Sequence, residues 1–125
     1  MPPVTRFEDL EVWKQARALH QAITTLCRKA EFRREYRLVG QMMAASRSVG
    51  ANIAEGFERF TPKEFCLKLY IAKGEVGELR TYLYCSLEEG RLSDSDFKAL
   101  VAQTESVSRL IGALRAAVAR RNRDR

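Results

Sequence analysis

An all-α chain folded as an antiparallel up-down-up-down four-helix bundle is what three features of this sequence predict. Apolar residues recur at intervals of three and four along four long segments, capping signals stand at the breaks between them, and the connections are short. Connections of about two to six residues leave no chain for a crossover, so successive helices must reverse direction.

The first helix is predicted over Glu8 to Ala30. Leu10, Trp13, Ala16, Ile23 and Leu26 mark its apolar stripe, acids stand in its first turn, and Arg28 and Lys29 stand in its last. A charged turn, Glu31 to Arg34, leads into a second stripe of Leu38, Met42, Ala45, Val49, Ile53 and Gly56, predicted to end near Arg59. Gly40, Gly50 and Gly56 each cost that helix roughly 1 kcal/mol of propensity against alanine, so close packing or a bend is expected there. Thr61-Pro62-Lys63-Glu64 opens the third helix: threonine caps the free amides, proline suits the first helical position, and glutamate completes a capping box. Phe65, Leu69, Ala72, Val76, Leu79 and Leu83 then alternate by fours and threes until Gly90. Ser93 caps the fourth helix, Asp94 and Asp96 suit its positive end, and Phe97, Leu100, Thr104, Val107, Ile111, Leu114 and Val118 repeat the period. This helix frays into a basic tail at about residues 120–125. Reflection about the turns sets Trp13 near Ile53, Asn52 near Lys68 and Gly77 near Ser106.

The chain length of 125 residues suits one domain with one core, because typical domains hold about 100 to 150 residues. No apolar run reaches the roughly 20 residues of a membrane span, and the amino terminus has no signal-peptide pattern, so the expected location is the cytoplasm and no membrane partner is expected. Cys27, Cys66 and Cys85 are odd in number and lack metal-ligand spacing; they read as small buried hydrophobes. A formal charge of +6 makes a polyanion a plausible partner.

Apolar surface exceeds what four seams hide. Beside the main stripe of the third helix, Cys66, Tyr70, Gly77 and Tyr84 form a second row, and Leu67 with Ile71 forms a third. A helix apolar on several sides has neighbours on several sides, which predicts self-association.

The words Phe7-Glu8-Asp9-Leu10-Glu11-Val12-Trp13-Lys14-Gln15-Ala16, Asn52-Ile53-Ala54-Glu55-Gly56, Ile71-Ala72-Lys73-Gly74 and Glu78-Leu79 resemble the bacterial four-helix bundle proteins first noticed as products of intervening sequences in 23S ribosomal RNA genes, the S23-like family. Met43 and Ala44 stand where that family usually carries an arginine pair, and Gly50 where proline is common. The resemblance implies a ring of five copies. A distant likeness of fold extends to the accessory protein of diversity-generating retroelements, a pentameric barrel that binds nucleic acid and a reverse transcriptase.

Asn52, Glu55 and Glu78 are the polar residues within those words. Asn52 and Glu55 lie three apart on one helix face, among small side chains, and are expected to bond across the seam between the second and third helices and fix its register; a ligand pocket lined by these groups is the alternative. Arg33, Arg34 and Arg37 at the first turn, and Arg120, Arg121 and Arg123 in the tail, are the candidate nucleic-acid contacts, and they belong at opposite ends of an up-down bundle. Phe57, Phe60 and Phe65 are expected to close the bundle end rather than stack bases. His20 is the single histidine, and no nucleophile motif, phosphate loop or metal-ligand cluster accompanies it, so no enzyme activity, cofactor or metal is expected. The reading is a non-enzymatic oligomeric bundle that binds RNA or other nucleic acid weakly through arginines, or serves as an adaptor for a protein partner. A protein-only assembly scaffold is the alternative.

Overall fold

A computed structural model describes residues 4–59 and 61–123, with the side chain of Arg123 outside the described part. A 3-10 turn, Phe7–Asp9, precedes five helices: α1 (Glu11–Cys27), α2 (Ala30–Arg33), α3 (Tyr36–Glu58), α4 (Pro62–Glu88) and α5 (Asp94–Arg123). Four are long, and no strand occurs among the described residues.

The first predicted helix is thus divided at both ends. Leu10 is extended, with ψ of 127°, and its carbonyl caps α1 by accepting from the amides of Trp13 and Lys14. The break lets the Phe7 ring fold back edge-on to Trp13, with centroids 5.3 Å apart. In an unbroken helix those residues, six apart, would point well away from each other. At the other end Lys29 is extended and α2 is a single turn that drives Phe32 fully into the core. Burying such a ring contributes about 1.5–3 kcal/mol, enough to decide the course of a short connection.

The other boundaries follow their signals. The Thr61 hydroxyl oxygen accepts the Glu64 amide at 3.2 Å and donates to the Glu64 carboxylate at 3.1 Å, a variant of the expected box. Gly90, at φ of +75°, ends α4 in a left-handed cap: its amide reaches the Leu87 carbonyl, and the Arg91 amide reaches that of Ser86. Ser93 accepts the Asp96 amide at 3.1 Å to start α5.

Helix α3 packs on α1 and α4, and α5 packs on α4 and α1, which closes a four-membered arrangement. Along α4 and α5, Cys66 meets Arg115, Lys73 meets Ser108 and Tyr84 meets Phe97; one number falls as the other rises, so these helices are antiparallel. Helices α1 and α3 are antiparallel by the same test, since Trp13 lies against Gly50 and His20 against Ser46. One hydrophobic cluster runs through all four long helices, with Leu19, Ile23, Met42, Val49, Ile53, Leu69, Val76, Leu79, Leu83, Val107 and Ile111 fully buried. The buried hydroxyls of Ser86 and Thr104 donate to carbonyls of their own helices, Tyr82 and Val101, so the core hides no orphaned side-chain group among the described residues.

Gly56 is the glycine that close packing demands. A Cβ there would stand 2.8 Å from Lys68 Cβ and 2.9 Å from Phe65 Cδ1, whereas one at Gly40 would meet nothing within 4 Å. The α3–α4 seam is therefore tightest just before its turn.

Candidate functional site

Because Phe32 turns inward, its chain neighbours turn outward. Arg33, Arg34 and Arg37 are exposed, and Tyr36, the first residue of α3, is 82% exposed. None of the three arginines has an ion-pair partner among the described residues. The nearby acids are engaged instead by Arg91, which reaches Glu35 at 2.6 Å and Glu89 at 3.2 Å and also donates to the Glu31 carbonyl. A shallow open depression runs past Arg34, Tyr36, Arg37 and Gln41. Free guanidinium groups around an exposed ring suit phosphate and base together.

The second basic cluster lies at the other end. Register with α4 brings Arg120 level with the start of α4, and Arg120 and Arg121 are exposed there. Arg123 closes α5, with its side chain outside the described residues. Arg115 is not free, because its guanidinium stacks on Tyr70 with 4.4 Å to the ring centroid.

The expected polar seam is dispersed. Asn52 spends its amide on its own helix, donating to the Ser48 carbonyl and hydroxyl, each at 2.9 Å, and does not reach α4. Glu55 alone crosses between helices, pairing with Lys68 of α4 at 3.1 Å while holding Arg59 at 2.8 Å on the surface. The hydrogen bond from Arg59, followed by that from Lys68, holds its carboxyl below the ordinary carboxylate range. Glu78 is exposed and accepts from the Tyr82 hydroxyl at 2.9 Å. The cause is helical: Val49, Ile53 and Gly56 take the inward stripe, which sets Asn52 and Glu55 on its flanks. Phe57 and Phe65 meet edge-on at the α3–α4 turn, as expected of a closed end; Phe60 lies outside the described residues.

One feature was not legible in advance. Between α1 and α3 lies an open groove of about 300 Å³, floored by Trp13, Ala16, Gly50 and Ala54 and rimmed by Arg17 and Arg47. His20 Nδ1 lies 2.7 Å from Ser46 Oγ beside it. Since the Ser46 hydroxyl donates to the Met43 carbonyl at 3.2 Å, the imidazole Nδ1–H is the donor to serine. Burial, and then the charge of Arg47, holds the His20 imidazole below its ordinary value. Ser46 is only 1% exposed, so this pair orients the helices rather than presenting a nucleophile. The clue in the sequence was the run of small residues from Gly50 to Gly56 flanked by Arg47, which also serves tight helix packing.

The described residues hold no cluster of potential metal ligands. All three cysteines are free, and burial raises the thiol of Cys27. No described helix is long and apolar enough to cross a membrane.

Against known proteins, residues 8–113 match the family model described as 23S rRNA-intervening sequence protein. A crystal structure of a protein of unknown function from the S23 ribosomal protein family of Bacteroides thetaiotaomicron superposes with a TM-score of 0.77 at 17% identity, over 84% of this chain and 95% of that one. At that identity the likeness is one of fold. No curated protein matches the sequence significantly.

Proposed function

The chain belongs to the 23S rRNA-intervening sequence protein family, and from that premise we propose a non-enzymatic, oligomeric helical bundle that holds RNA or other single-stranded nucleic acid weakly. The observation that carries this is Tyr36, 82% exposed and set among Arg33, Arg34 and Arg37, whose acidic neighbours Glu35 and Glu89 are held by Arg91. A base stacks on the ring and phosphates meet the guanidinium groups, which gives affinity with little sequence preference. Arg120, Arg121 and Arg123 at the far end add a second, separate contact. Oligomerisation, as a ring of five in the family reading, multiplies each weak site by the number of copies that one strand can reach. The protein acts in the cytoplasm as a single-domain unit, and a protein partner bound alongside would make it an adaptor.

Titration of labelled single-stranded RNA at several salt concentrations tests the proposal. Affinity falls with salt by a slope near −0.7 per phosphate contact, and replacing Arg33, Arg34 and Arg37 together by glutamine lowers that slope by about 2. Tyr36→Ala weakens binding by roughly 5- to 150-fold, the measured range for loss of one stacked base. Absence of binding even at low salt overturns the nucleic-acid reading. The protein-only scaffold then stands, favoured by the unpaired groove and by the exposed apolar face of α4.

A further inference from the structure

Two flanks of the bundle carry unpaired charge of opposite sign at the same height. On one, Arg17 and Arg47 rim the α1/α3 groove with no ion-pair partner among the described residues, the Arg17 guanidinium lying over the Trp13 ring at 6.0 Å to its centroid. On the other, the outer face of α4 bears Glu75 and Glu78, which likewise have no cation among the described residues. Burial and the neighbouring Glu78 push the Glu75 carboxyl up, as expected of acids left to crowd each other.

The apolar parts match in the same way. Leu67, Tyr70 and Ile71 on α4 are 57%, 55% and 40% exposed, and a Cβ added at Gly74 would meet nothing within 4 Å, so a ridge of side chains gives way to bare backbone. The groove floor, by contrast, is a concave strip of Trp13, Gly50 and alanines. Heights follow from the internal pairs: Trp13 lies at Gly50, His20 at Ser46, and Glu55 and Gly56 at Lys68. Counting along the antiparallel helices sets Trp13 level with Ile71, Arg17 with Glu75 and His20 with Glu78, to within one helical turn.

We infer that the outer stripe of α4 in one copy, Leu67, Ile71, Gly74 and Glu78, seats in the α1/α3 groove of a second copy, with Arg17 and Arg47 meeting Glu75 and Glu78. The two surfaces differ, so the contact is heterologous, and their similar heights are what a closed ring rather than a climbing filament requires. Charge pairing sets the register, and the apolar strip supplies the burial. This joint rests on the oligomeric part of the proposed function and assigns it to particular residues.

Charge reversal tests it, with the mass of the wild-type protein measured first by light scattering. The pair Arg17→Glu and Arg47→Glu, and separately the pair Glu75→Lys and Glu78→Lys, should weaken assembly at least roughly tenfold in concentration, because like charges then face each other. The fourfold variant restores the wild-type mass. Circular dichroism and unfolding midpoints confirm that every variant is folded. An assembled wild type whose mass neither pair alters, or whose loss the fourfold variant does not repair, overturns the joint while leaving the oligomer in place. A monomeric wild type overturns both.

Discussion

Replacing glycine by alanine should act with opposite sign at two positions of α3. At exposed Gly40 the added methyl meets nothing within 4 Å, so the variant gains the helix-propensity difference, about 1 kcal/mol. At Gly56 the same methyl lies 2.8 Å from Lys68 Cβ and 2.9 Å from Phe65 Cδ1, where carbon contacts relax to about 3.5–4.0 Å. Close to 1 Å of movement is required, and the Phe65 ring is held edge-on by Phe57, while Lys68 is held by Glu55. Overpacking of this kind costs about 1–3 kcal/mol, which cancels or outweighs the propensity gain. Gly56→Ala should therefore be less stable than Gly40→Ala by about 1–3 kcal/mol. With an unfolding entropy of about 2.1 cal/mol/K per residue over 125 residues, each kcal/mol moves Tm by about 4 °C. Thermal and urea unfolding followed by circular dichroism, at one protein concentration, measures the difference. A Gly56→Ala variant as stable as Gly40→Ala would refute the close α3–α4 approach.

Further outcomes follow from single residues. Gly90→Ala forces a side chain into the left-handed region at φ of +75° and should lower the urea-derived stability by about 1–2 kcal/mol. Phe32→Ala empties a fully buried site and should cost about 3–5 kcal/mol, a large part of the roughly 5–15 kcal/mol a domain possesses, measured in the same way. His20 is held below 6.5 in the folded state, so as pH falls through 6.5 the unfolded chain takes up the proton first and the native state loses stability. That contribution is fully present above pH 6.5 and fades below it; urea midpoints across pH 5–8 should show the loss, and His20→Gln should remove that component. Cys27, buried and with a raised thiol, should react with a thiol reagent only as the protein unfolds, which timed labelling in native buffer and in urea compares.

The core of the bundle was legible because burial leaves a period. Met42, Ala45, Val49, Ile53 and Gly56, and Leu69, Ala72, Val76, Leu79 and Leu83, recur at helical spacing in the sequence and are buried in the fold. Caps at Thr61, Gly90 and Ser93 were legible because each depends on local chemistry. Register was legible to within about a helical turn: Trp13 lies against Gly50, one turn from the expected Ile53, and His20 pairs with Ser46 in the register that reflection about the first turn gives. Phe32 was hidden in a charged turn, where neighbours of both signs conceal one inward ring. The polar residues were least legible. Asn52 stands on the flank of the Val49, Ile53 and Gly56 stripe, where its amide closes on Ser48 one turn back instead of crossing the seam. Likewise, Arg91 neutralises Glu35 and Glu89 from 56 and 2 positions away in the chain, and so leaves the arginines beside Tyr36 unpaired. The α1/α3 groove needs two helices at a fixed separation before it exists at all.

The oligomeric reading, and the joint between α4 and the α1/α3 groove, both depend on a bundle whose apolar flank is covered by further copies of itself. Light scattering of the purified wild-type chain at micromolar concentration tests this most directly. A mass several times 14.3 kDa, falling on charge reversal at Arg17 and Arg47, is the predicted result. A stable species of 14.3 kDa at every concentration would contradict it.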